Sequence, residues 1–141
     1  MRKVLYVPLD DRDCNYQFPW LLSQMTEGLE LLRPPYEWMG FLKKPADREK
    51  IWEWLFEQAG ECDYAILSVD TLVYGNIIGS RIHPYSMEEC RKTMDRFRRL
   101  KEQNPQLHIH AFNLAARVAA YNDNHEDPEY WQEYGYDIWR Y

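Results

Sequence analysis

Glycine is scarce in this chain, at six in 141 residues, and cysteine scarcer still, with Cys14, Cys62 and Cys90 showing no CxxC spacing. An odd, scattered set of thiols points to neither a disulfide framework nor a zinc site and fits a reducing cytoplasm. Positive charge is also short. The 17 basic residues against 23 acidic ones leave a formal net charge of -6, which speaks against nucleic acid or an anionic membrane as a partner. No apolar run approaches bilayer-spanning length. The apolar stretch after Met1-Arg2-Lys3 is cut off at Asp10-Asp11-Arg12, too early for an export signal. Neither G-x-G-x-x-G nor G-x-x-x-x-G-K-S/T occurs, so the few glycines build no nucleotide phosphate cradle, and no cofactor is indicated.

What the chain does contain is ordinary in bulk and specific in arrangement. A composition 45% hydrophobic and 28% charged, over 141 residues, is that of one globular domain able to bury a core. Three segments share one plan. Val4–Leu9 stops at Asp10-Asp11-Arg12, Tyr64–Val69 stops at Asp70, and Leu107–Phe112 stops at Asn113. Short apolar runs of this kind are strands buried on both faces, the mark of a parallel sheet under helices. A fourth, more polar strand is expected at Glu30–Arg33, ahead of Pro34-Pro35.

Helix signals lie between the strands. Pro19 at a first helical position and Gly28 at the close predict a short helix over Pro19–Glu27. Asp47 caps a second, in which Trp52, Leu55, Phe56 and Ala59 recur at i, i+3, i+4 and i+7 before Gly60. Ser86 and Glu89 fit a capping box opening a third, stopped by Asn104-Pro105, and Asp127-Pro128 opens a last one. The order is β-α-β-α-β-α-β. It predicts an α/β fold with a parallel sheet of about four strands, the front portion of a barrel-like or doubly wound domain. No linker or repeat divides 1–141, so a single domain is expected. Tyr130, Trp131, Tyr134, Tyr136, Trp139 and Tyr141 crowd the end and call for a cover, either a further portion of the domain or self-association.

In parallel sheets ligands sit at the carboxyl ends of the strands, so the polar clusters mark one site. The first offers Asp10, Asp11 and Asp13 around Arg12, with Asn15 beyond. Close carboxylates separate their pKa values, and a guanidinium neutralises them or clamps an anion. The bland alternative is a solvated turn. The second cluster runs from Asp70 through Tyr74, Gly75, Asn76, Gly79 and Ser80 to Arg81, with Ile77 and Ile78 as packing residues. Asn113 and Arg117 supply a third. A magnesium or calcium site at Asp10, Asp11 and Asp70 is chemically reasonable, but no spacing requires it and no metal is assigned. His108 and His110, at the start of a strand, are expected to pack with hydrogen-bonded imidazoles. The basic residues of 91–101 alternate with acids and read as a solvated helix face.

Lys3–Arg12 with Asn15, then Leu67–Gly75 with Ser80-Arg81, and Asn113 to Arg117 followed by Pro128–Trp131 resemble the opening motifs of the bacterial domain of unknown function 4127 family. The resemblance covers nearly the whole chain. It implies a chain shorter than its family and supplies no reaction. Three positions depart from the pattern: Asp13 stands where a proline is usual, Asn76 replaces a second glycine, and Leu114-Ala115-Ala116 differs before Arg117.

The expected function is an enzyme fragment acting on a small polar, carbohydrate-like substrate by acid-base chemistry, with glycoside-type hydrolysis as one concrete version. Asp10 and Asp70 form the expected acid-base pair, Asp11 the alternate. Arg12, Arg81 and Arg117 hold anionic or hydroxyl-rich groups, and Asn15, Tyr74, Asn76 and Asn113 orient them. The rival is a non-catalytic module for ligand binding or partner docking.

Overall fold

The computed structural model describes residues 1–141. Its elements run β1 (Arg2–Val7), α1 (Asp13–Gln24), β2 (Leu29–Leu32), α2 (Arg48–Gln58), β3 (Tyr64–Ser68), a short α3 (Gly79–Ile82), α4 (Met87–Gln103), β4 (His108–Phe112) and α5 (Trp131–Arg140). The strands form one four-stranded sheet in the spatial order β2-β1-β3-β4, with every neighbouring pair parallel. The α/β reading and the parallel sheet are therefore correct. The order reverses at β1: the chain first moves outward to β2, then returns past β1 to β3 and β4. That is the doubly wound pattern.

Side chains alternate across a strand. Leu5 and Val7 of β1 and Ala65 and Leu67 of β3 point toward α2 and α4 and join Ile51, Trp52, Leu55 and Leu100 in the core. Trp52 binds the two helices together. Its ring meets Phe97 edge-on at 4.9 Å, and its Nε1 donates to the Leu72 carbonyl at 3.2 Å. The opposite face is covered only in part: Val4 and Tyr6 are buried on the α1 side, whereas Ile66 is 36% exposed and His108 and His110 are exposed. The two histidines thus depart from expectation. They lie on an edge strand with no helix above them, and His108 stacks on Tyr64 at 5.3 Å instead of entering a core.

Capping chemistry sets the starts of α2 and α4. The Asp47 carboxylate accepts from the Lys50 N–H at the head of α2, and the Ser86–Glu89 capping box opens α4 with both of its bonds in place. The first helix departs from its expected start, since α1 begins six residues before Pro19. Proline inside a helix removes the N–H that would reach the carbonyl four residues back. Here that carbonyl belongs to Asn15, and it accepts from the Tyr6 hydroxyl at 2.5 Å instead. A side chain of β1 thus satisfies the group that Pro19 leaves free, and the helix continues. Asp13 is the first residue of α1, a position suited to either a proline or a helix-stabilising acid. The departure from the family pattern there leaves the helix start intact.

The second strand is offset by one residue from Glu30–Arg33. After β4 the chain changes character: residues 113–127 make no backbone–backbone hydrogen bond as they cross the carboxyl edge of the sheet toward α5. That last helix starts at Trp131, whose N–H donates to the Pro128 carbonyl at 2.9 Å. Trp131 is buried, while Tyr130, Tyr134, Tyr136, Trp139 and Tyr141 are exposed. No helix is long and apolar enough to cross a membrane.

Candidate functional site

β1 and β3 are neighbours whose connections leave in opposite directions, so a crevice opens beyond their carboxyl ends. Thr71 fastens the two tips together. Its hydroxyl lies 2.7 Å from the Pro8 carbonyl and 2.8 Å from that of Leu9, and its N–H donates to Ser68 Oγ at 3.2 Å. Thr71 was not singled out in the sequence, because a lone threonine carries no spacing signal.

A cavity of about 220 Å³ occupies this crevice. Of the ten expected site residues it is lined by Asp10, Asp11, Arg12, Asn76, Arg81 and Arg117. Phe41, Leu42, Ile77 and Ile78 give it an apolar wall, and Glu126 adds a carboxylate. Asn15, Asp70, Tyr74 and Asn113 lie outside the lining. Phe41 and Leu42 come from the 40–46 loop, and Glu126 from the stretch before Asp127-Pro128. None of the three lies at a strand end, so the edge rule did not reach them.

Asp10 is 4% exposed and fully engaged. Its Oδ1 accepts from the Arg12 N–H at 3.1 Å and from Asn15 Nδ2 at 2.7 Å. Its Oδ2 accepts from Arg12 Nε at 2.8 Å and pairs with Arg12 Nη2 at 2.6 Å. A carboxylate offers about four lone-pair sites, so Asp10 has none left for a substrate proton. Its work is to fix Arg12 and the first turn of α1. The hydrogen bond from Arg12 to Asp10 in turn holds the guanidinium more firmly protonated. Asp11 differs. Its only side-chain partner is the Tyr36 hydroxyl, at a long 3.4 Å, and its charge raises the Tyr36 pKa.

After β3 the chain winds as a π-helical turn over Asp70–Tyr74 and ends at Gly75 with φ of 104°. Turns of this type often accompany functional sites. A Cβ on Gly75 would overlap Pro45, so both the backbone angle and the close approach of the 40–46 loop require glycine. Asn76 holds the same loop: its Nδ2 donates to the Leu42 carbonyl at 2.9 Å, and its Oδ1 accepts from the Gly79 N–H at 2.6 Å. It touches the cavity but is spent on shape.

Asp70 is 2% exposed. Burial raises its pKa, against the opposing pull of the Leu114 N–H, which donates to Oδ2 at 3.0 Å. The contact joins the tip of β3 to the chain leaving β4, beside Asn113, which is itself exposed. Tyr74 stacks on His83 at 4.5 Å, away from the cavity, and its hydroxyl is also pushed up by burial.

Arg81 is committed to another task than the one expected. Its Nη1 pairs with Asp127 Oδ1 at 3.0 Å and donates to the Glu126 carbonyl at 3.3 Å. The ion pair is buried, at 15% and 5% side-chain exposure, and it fixes the far end of the 113–127 stretch over the cavity. Arg117 lines the cavity, is exposed, and makes no ion pair or hydrogen bond. No three His, Cys, Asp or Glu side chains come together as a metal-binding group.

The fold and the crevice define a doubly wound α/β protein with a mixed-charge cleft at its switch point. The chain belongs to the family described as protein of unknown function (DUF4127), whose model matches residues 4–141. Comparison with curated proteins and with solved structures gives no significant match.

Proposed function

We propose that the switch-point cleft binds a small polar, carbohydrate-like molecule and acts on it through carboxylate acid-base chemistry, in its most specific form glycoside-type hydrolysis. The observation that carries this reading is the unequal engagement of two adjacent carboxylates. Asp10 is saturated by Arg12 and Asn15, while Asp11 faces the same cavity with one long hydrogen bond. A proton-transfer group needs reach and a free lone pair, and Asp11 has both; Glu126, the other unpaired carboxylate of the lining, supplies the second carboxyl group that glycoside hydrolysis requires. Asp10 then serves as a positioning residue for Arg12. Asp70, behind Leu114, fixes the stretch over the cleft and does not touch substrate. Arg12 and Arg117 orient hydroxyl or anionic groups, and the Phe41–Ile78 wall accepts the apolar face of a ring.

Turnover of a glycoside panel by the parent, Asp11→Asn and Asp10→Asn tests these roles. Loss of a proton-transfer group lowers kcat by about 10² to 10⁴, so Asp11→Asn should fall that far with KM little changed. Asp10→Asn should raise KM, because Arg12 loses its anchor. Full activity in Asp11→Asn, or no turnover of any panel member by the parent, would reject the catalytic reading.

The saturation of Asp10 also favours a second reading, a non-catalytic binding module, since it leaves Asp11 as the one free carboxylate of the first cluster that lines the cleft. Ligand uptake at the cleft without turnover identifies that case.

A further inference from the structure

The geometry points to a zwitterionic ligand for this cleft, one whose ammonium group meets Asp11 and Glu126 and whose acid group meets Arg117. The inference rests on the cleft being the ligand site. It follows from subtracting the charges that the protein already pairs within itself. Arg12 is neutralised by Asp10, and Arg81 by Asp127. Among the lining residues Arg117, Asp11 and Glu126 are left with no ion pair.

Water solvates these three charges while the cleft is open. A ligand that fills the cleft displaces that water, and a charge left dry without a partner is costly. A neutral polyol leaves both signs uncompensated. An anion satisfies Arg117 and repels Asp11 and Glu126, and a cation does the reverse. Only a molecule with both signs gives each of the three a partner of opposite charge, its one ammonium shared between the two carboxylates, and the apolar wall of Phe41, Leu42, Ile77 and Ile78 strengthens each pairing by lowering the local dielectric. The backbone of Glu126 is fixed at the cleft, because its carbonyl accepts from Arg81 Nη1 at 3.3 Å, and its carboxylate is left free. The cavity, at about 220 Å³, is smaller than sites for drug-sized molecules, which run from roughly 300 Å³ upward. The ligand is accordingly small.

Four sugars of one ring size separate the cases: glucose is neutral, glucosamine cationic, glucuronate anionic, and muramic acid carries both an amine and a carboxylate. Backbone amide shifts of Asp11, Arg117 and Glu126 locate binding, and titration gives affinity. Muramic acid should bind at least about tenfold tighter than glucose, a preference of the size that solvent-accessible charge pairs supply, and added salt should shrink it. Glu126→Gln should shrink the preference for the amine and Glu126→Gln with Asp11→Asn should erase it, while Arg117→Gln should erase that for the carboxylate. Equal affinities across the four, with shifts at the cleft, would overturn the zwitterion inference and leave the site standing. No shift at the cleft with any of them would overturn both.

Discussion

The two faces of the sheet are built to different standards. Toward α2 and α4, Leu5, Val7, Ala65 and Leu67 are fully buried against Trp52, Leu55 and Leu100. On the other face, α1 covers β1 and β2, while Ile66, His108 and His110 stand open over β3 and β4. The lesson is that stability is supplied from one side and the carboxyl edge is held from that side too, through the π-helical turn and the loop at Pro45. Four outcomes test this asymmetry.

The largest effect belongs to the sealed face. Leu55→Ala removes a fully buried side chain where α2 meets the sheet, and such truncations cost about 2–5 kcal/mol. Chemical denaturation should show a loss in that range. A loss under about 1 kcal/mol would mean that the sealed face is not the source of stability. Next comes the edge. Gly75→Ala forces a side chain onto a left-handed residue already against Pro45, and strain of this kind costs about 1–3 kcal/mol. The same variant should weaken ligand binding, because Leu42 and Phe41 ride on that loop.

The third test is a pH dependence. Burial raises Asp70 above its ordinary value of 3.8, so the folded protein keeps this proton to higher pH than the unfolded chain does. The contribution of Asp70 to stability is therefore fullest below the ordinary value and is lost as pH rises through the raised one. Asp70→Asn abolishes that loss. Across this window the parent should lose stability relative to the variant, and parallel stability curves would refute the assignment. The smallest effect is on the open face: Ile66→Ala, at a side chain 36% exposed, should cost under about 1 kcal/mol. A cost equal to that of Leu55→Ala would erase the difference between the faces.

Much of this was legible in the residues, and the reasons for the rest are physical. β1 and β3 announced themselves because well-buried parallel strands become near-continuous apolar runs; β4 is legible from its apolar residues although His108 and His110 alternate with them and none of its residues is buried, and Asp10, Asp70 and Asn113 do follow the three strands at one edge. The Ser86 capping box was legible because its signal is local. The start of α1 was hidden: Pro19 is a start signal in isolation, and only a hydroxyl from β1 makes it tolerable in mid-helix. The openness at His110 could not be read either, since the strand pattern does not say which face a helix will leave bare. Within the site, residue types were legible but their engagement was not. Asp10 and Asp11 are adjacent and chemically identical, and they differ only in what surrounds them. Glu126 and Asp127 became part of the site through Arg81, a partnership spanning 45 and 46 residues that no short motif encodes.

The stretch from Asn113 to Asp127 is tied down by bonds that each involve a side chain, with no backbone–backbone ladder. With Leu114 N–H on Asp70 at one end and Arg81 on Asp127 at the other, its amides have no carbonyl ladder to shelter them. In deuterium its amides, apart from Leu114 on Asp70 and His125 on Asp123, should exchange within the dead time while those of β1 and β3 wait for global opening. A molecule seated beneath Arg117 would then register first as slowed labelling in this one stretch, which makes the chain its own occupancy gauge.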